Sequence, residues 1–163
     1  MNHKATLTFS ESLVRQAVLR FWLRSVGLGF FVALAVAIFC LAFLVAQGDR
    51  SWVVGGMGAV ILIGIAIAIG IYFSHYRNSI RKFRGMESPT ATVVVDDATL
   101  TLASGVATST IGWSAVKEVW KFQGFWLLLF SKAQFATLPL TSISPEMQDF
   151  ILRRVQEQGG KIA

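Results

Sequence analysis

The sequence predicts an α+β protein: a two-helix transmembrane hairpin inserted after an N-terminal strand, followed by a small antiparallel β-sheet capped by a C-terminal helix. Three observations predict it. Two apolar stretches, 26–46 and 52–73, contain no charged side chain and are separated only by "QGDRS". Beyond residue 90 the pattern becomes short runs of β-branched residues punctuated by Gly and Pro. Near the end, apolar residues recur at helical spacing behind the helix-starting sequence "SPE".

Composition agrees. Hydrophobic residues make up 54% of the 163-residue chain and charged residues 15%, where soluble domains usually show about 45–50% and about 25%. The excess apolar content needs a location outside an ordinary core. Cys40 stands alone, so an intrachain disulfide and a thiolate metal site are both excluded.

The N-terminal segment 1–25 opens with "KATLTF", which alternates like a strand and places Ala5, Leu7 and Phe9 on one face. "SESLVRQAVLRFWLRS" follows as a helix with Ser10 as its cap and Leu13, Ala17, Val18 and Phe21 on one side. It is expected to run on into the first span.

Segment 26–73 is the hairpin. Twenty-odd apolar residues at a helical rise of 1.5 Å cover the ~30 Å hydrocarbon core, and a soluble helix of that length normally keeps a polar stripe. A cleaved signal peptide fits poorly, because about 25 residues precede the first apolar run and Leu44 occupies the place of a small residue near Ala46. Trp22, Trp52 and Tyr72 sit where interfacial aromatics are common.

Lys4, Arg15, Arg20 and Arg24 precede the first span, and Arg77, Arg81, Lys82 and Arg84 follow the second, with His75. Of these, Arg24, Arg77, Arg81 and Lys82, with Trp22, Trp52 and Tyr72, are the expected membrane-interface anchors. The positive-inside rule then places both termini in the cytoplasm of a cell whose inner membrane is crossed twice. Segment 74–163 as a whole becomes a cytoplasmic β-rich domain. From residue 87 onward, Glu87, Asp96, Asp97, Glu118, Glu146, Asp149 and Glu157 nearly balance six basic residues. The net charge of +6 therefore reads as a topology and headgroup signal, and nucleic acid is not an expected partner.

Small residues recur along the spans: Gly29, Ala33 and Ala37 in the first, Gly56, Gly64 and Ala68 in the second. Such faces let helix backbones approach closely. They serve either to pack the hairpin against itself or to form a seam between copies. No charged residue inside either span marks an ion path, which ranks a channel-forming oligomer last among the functional readings.

In the β-rich part, strands are predicted at 91–95, 99–103 with Leu100 and Leu102 on one face, and from 108 onward. Asp96-Asp97 supplies one turn and Gly105 another. The six apolar residues 125–130 reach about 20 Å as a strand and about 9 Å as a helix, so neither a helical span nor a membrane strand fits. Segments 116–122 and 125–130 are read as a hairpin turning at Gln123-Gly124, followed by a strand over 134–140 that Pro139 ends. The last helix has Ser144 as cap, Pro145 at its first position and Glu146 at the positive end of its dipole. Met147, Phe150, Ile151 and Val155 form its apolar stripe, and Gly159-Gly160 stop it.

The stretches "VVVDDATLTLASGVATSTIGWSAVKEV", "FWLLLF", "ATLPL" and "SPEMQDFILRRV" occur in this order. Together with an N-terminal strand and two spans, they resemble the YcxB-like family of small bacterial membrane proteins. The resemblance implies a sheet-plus-helix domain like a bacterial pleckstrin-homology fold. Leu140 departs from the pattern, which leads to a basic residue after the proline. The family offers no reaction to carry over.

Chemistry is sparse. Asp96-Asp97 is an adjacent carboxylate pair whose ordinary use is a turn, Glu146 and Asp149 belong to a helix start, and His75 lies among interfacial basic residues. No phosphate loop, metalloprotease helix or nucleophile elbow is present. An enzyme, a cofactor, a metal and a small-molecule substrate are accordingly not expected. Trp113, Trp120 and Trp126, with Lys117 and Lys121, are either core residues with a solvated lysine face or a partner surface. The leading expectation is an interaction or regulatory module held at the inner membrane. Its partners are lipids and either a membrane protein or a second copy. The second is a membrane immunity protein that neutralises a toxin or bacteriocin.

Overall fold

The computed structural model describes residues 3–86, 88–105 and 107–163. Val106, within the turn expected around Gly105, lies outside the described residues, as do Met1, Asn2 and Glu87. The chain divides into two compact units, Met1–Ala17 with Asn78–Ala163, and Val18–Arg77.

The second unit holds the apolar helices. Helix α1 (Glu11–Val26) enters it from the first unit, α2 (Leu28–Ala46) lies within it, and α3 (Trp52–Arg84) leaves it again. Both α2 and α3 are long and apolar enough to cross a membrane. The two joints around α2 each use a glycine at positive φ. Between α1 and α2, Gly27 sits at φ 79°, a conformation side chains resist. The first helix therefore does not run on into the span as expected but ends at Val26. After α2, Gly48 at φ 80° closes the helix: its N–H donates to the Val45 carbonyl (3.0 Å) and the Asp49 N–H to the Leu44 carbonyl (3.1 Å). The Asp49 carboxylate then accepts from the Ser51 N–H at 2.7 Å, one residue before α3 begins. Helix α3 continues past Phe73 through the basic segment to Arg84, since no glycine or proline interrupts it between Gly70 and Gly85.

The first unit is the β-rich body. Strand β1 (His3–Thr8) pairs antiparallel with β2 (Thr90–Val95), β2 with β3 (Thr99–Ser104) and β3 with β4 (Thr108–Gly112). The N-terminal strand thus joins the C-terminal part of the chain across the inserted helices. A single 3-10 turn at Trp113–Ala115 separates β4 from β5 (Glu118–Phe122), which pairs with β6 (Phe125–Leu129), and β6 with β7 (Phe135–Pro139). Helix α4 (Pro145–Glu157) follows, and β8 (Lys161–Ile162) returns parallel to β5. Where the sequence led to one sheet, there are two of four strands, ordered β1-β2-β3-β4 and β7-β6-β5-β8. The division falls at the 3-10 turn, which redirects the chain before β5 can continue the meander.

One apolar core unites both sheets and α4. It contains Leu7, Val93, Val95 and Leu100 from the first sheet, Val119, Trp126, Leu128 and Leu138 from the second, and the complete α4 stripe Met147, Phe150, Ile151 and Val155. Leu140, the residue departing from the family pattern, packs its side chain against this core. Strand β6 answers the question its six apolar residues pose. All five residues of the strand are buried, including Phe125, Leu127 and Leu129 on the face opposite Trp126 and Leu128. A strand covered on both sides loses the polar alternation of a half-exposed one.

Candidate functional site

In the helical unit, the small residues divide between inward and exposed positions. On α2 the half-buried positions are Phe30, Phe31, Leu34, Ala37, Leu41 and Leu44, and Gly29 and Ala33 are exposed. On α3 the inward positions include Ile61, Gly64 and Ala68, and Gly56 points away. Gly58 is the glycine that faces the neighbouring helix, with Leu41 Cδ2 3.9 Å from where its Cβ would stand. Ala37, Gly64 and Ala68 are thus turned inward, and Gly29, Ala33 and Gly56 are exposed. Spacing alone does not distinguish the inner small face from the outer.

The interfacial aromatics divide the same way. Trp52 is 86% exposed at the start of α3. Trp22 instead is a buttress: its indole N–H donates to the Ala68 carbonyl at 2.8 Å, and its ring meets Phe31 and Tyr72 edge-on. An indole N–H beside apolar helices needs such an acceptor. Phe21, one residue earlier, is buried against the His75 ring, and Tyr72 stacks on Tyr76. The Trp22 and Phe21 contacts fasten the end of α1 to α3. Arg24, Arg77, Arg81 and Lys82 are exposed. Arg81 donates to Asn78 Oδ1 at 2.8 Å.

In the β-rich unit, the paired carboxylates of the β2–β3 turn have separate structural tasks. Asp96 accepts from the N–H groups of Ala98 (2.8 Å) and Thr99 (2.6 Å) and from the Thr99 hydroxyl (2.9 Å). These donors, the Ala98 N–H foremost, hold its carboxyl below the usual carboxylate range. Its carbonyl accepts from the Trp113 indole at 2.9 Å. Asp97 reaches the other way, to Arg154 on α4, which also holds Glu157 at 2.9 Å. The Arg154 guanidinium lies over the Phe150 ring, 5.3 Å from its centre. Glu146 is likewise held low, first by the Ser144 hydroxyl, at the start of α4.

Trp113, Trp120 and Trp126 are 2%, 7% and 3% exposed. All three are buried, Trp113 in the 3-10 turn, Trp120 in β5 and Trp126 in β6, so their rings do not form an exposed surface. Lys117 donates to the Ser114 carbonyl at 2.8 Å, and Lys121 lies over the Trp126 ring.

A different face stays open. With Leu7, Val93, Val95 and Leu100 in the core, alternation turns Lys4, Thr6, Thr92, Val94, Thr101 and Ala103 outward. The register continues this face onto Thr108 and Thr110, and the Thr101 and Thr110 hydroxyls bond at 2.9 Å. Among the described residues no strand pairs with the far side of β4. The polar phase of "TATVVV", "TLTLA" and "TSTIG" was the available signal for this threonine sheet.

Residues 95–153 match the family model described as YcxB-like protein. Over that stretch the chain is similar to the YcxB-like family. The match runs from the last residue of β2 to Arg153 in α4, so it takes in the Asp96-Asp97 turn, Trp113 and the buried strand β6. No curated protein matches the chain, and no solved structure does.

Proposed function

We propose that this is a non-enzymatic protein of the inner membrane whose YcxB-like domain serves as an interaction module at the cytoplasmic surface. The observation that carries the reading is the contrast between the two units. Helix α2 buries none of its nineteen residues, so its apolar side chains require a lipid or protein environment. The other unit encloses its own core of two sheets and a helix. Such a core supports comparison with a pleckstrin-homology-like body, in which a sheet structure closed by a helix presents its outer faces to partners.

The polar groups that resemble chemistry have structural employment. Asp96 caps a turn, Glu146 lies at a helix start, His3 meets the Phe150 ring and His75 meets Phe21. The partner face in this reading is the threonine sheet with its open edge β4, in place of the tryptophans. The partner is a membrane protein or a second copy. Basic residues on both sides of the hairpin support cytoplasmic termini.

A photo-crosslinking residue at Thr110, in cells expressing the full chain, tests this. A discrete crosslinked band that disappears in Thr101→Glu supports the module. Crosslinking that is equally strong from Lys132, outside the sheet face, counts against it.

A further inference from the structure

The exposed side of α1 carries a pattern that packing does not explain. Val18 and Phe21 are buried on the inner side of the helix, and Trp22 is fastened to α3. On the outer side, Leu19 and Leu23 remain 40% and 39% exposed, adjoining the exposed Arg20 and Arg24. One turn of helix separates the leucines and another the arginines, so the helix shows an apolar stripe beside a cationic one. Gly27 ends this helix, and the apolar α2 begins at Leu28. The two stripes therefore sit within a few residues of a membrane span.

We infer that the C-terminal half of α1 is an interfacial helix that binds anionic phospholipid, with Arg20 and Arg24 on headgroup phosphates and Leu19 and Leu23 in the acyl boundary. The inference rests on the membrane reading above and adds a ligand class and a site to it. An amphipathic helix with arginines on its polar face and leucines on the other lies in the plane of the interface. Arginine suits phosphate because its planar fork donates two parallel hydrogen bonds. Aqueous exposure would leave both leucines wet, and burial in acyl chains would place two guanidinium cations in hydrocarbon. The boundary between the two satisfies all four. The Trp22 bond to Ala68 and the Phe21 contact with His75 fix which side of the helix faces outward.

The test uses the full chain reconstituted into phosphatidylcholine vesicles. Spin-labelled phosphatidylglycerol is compared with spin-labelled phosphatidylcholine as the motionally restricted lipid. The wild type should prefer phosphatidylglycerol, and Arg20→Gln with Arg24→Gln should lower that preference by up to about fivefold per arginine. The pair Arg20→Lys and Arg24→Lys should keep most of it. Millimolar inorganic phosphate should leave the wild-type preference intact. A nitroxide at Leu19→Cys, in a Cys40→Ala background, should be quenched by oxygen more than by a water-soluble nickel complex. Unchanged selectivity in the glutamine pair, competition by free phosphate, or a water-exposed nitroxide would overturn the site. Incorporation without selectivity defeats this inference alone. Failure of the wild type to incorporate at all defeats the membrane reading with it.

Discussion

Gly160 has no room for a side chain. A Cβ there would lie 2.4 Å from Val155 Cγ1 and 2.8 Å from the Val116 carbonyl oxygen. The Gly160 N–H donates to the Val155 carbonyl at 2.8 Å, closing α4, and the next residue starts β8. Gly160→Ala must therefore shift backbone, and should cost about 1–3 kcal/mol in the unfolding of the β-rich unit, measured through its tryptophan signals. Asp96 gives a pH dependence. Its carboxyl titrates below the ordinary value because donors favour the charged form. Its contribution to stability is thus present above the unfolded pKa near 4 and is lost as pH falls through the lower folded value. Thermal unfolding of the wild type against Asp96→Ala should show a gap at neutral pH that narrows as pH falls below about 4. A gap that is constant with pH would contradict the turn-capping role. Asp96-Asp97 was legible as a turn. The reach of Asp97 to Arg154, 57 residues away, was not, because no local pattern reports a pairing so distant.

Among the elements, α4 was the most legible, since its cap, dipole charge, apolar stripe and terminating glycines all point to the same helix. Ser144 accepts from the Met147 N–H at 3.3 Å as its position suggested. Ser144→Ala should lose about 1 kcal/mol of stability, read from denaturant midpoints. Strand β6 is the opposite case. Six apolar residues distinguish a buried strand from a membrane span by length, but they do not say which face is covered. Both faces being covered predicts that Leu127→Ala and Leu128→Ala each cost about 2–5 kcal/mol. A strand with one open face would tolerate one of the two. Strand β8 and the break at Gly27 escaped the sequence for a plain reason. Two residues carry no periodicity, and a glycine inside an apolar run is also the commonest small packing residue.

At the scale of the molecule, the chain leaves its β-rich unit after β1, passes through two apolar helices, and returns to complete the sheet that β1 begins. Leaving α2 unburied is intelligible only if something other than water surrounds it. The identity of the partner has no comparable signature, because a threonine sheet offers hydroxyls and backbone edges in place of a charge pattern. The central claim is that this hairpin crosses the bilayer and returns, with both ends of the chain on the inner side. The most direct measurement is labelling by a membrane-impermeant maleimide in intact cells, with Cys40→Ala as background. Gln47→Cys, at the exposed end of α2, should be modified from outside, and Gln158→Cys, exposed at the end of α4, should react only after permeabilisation. Modification of Gln158→Cys in intact cells would contradict the account.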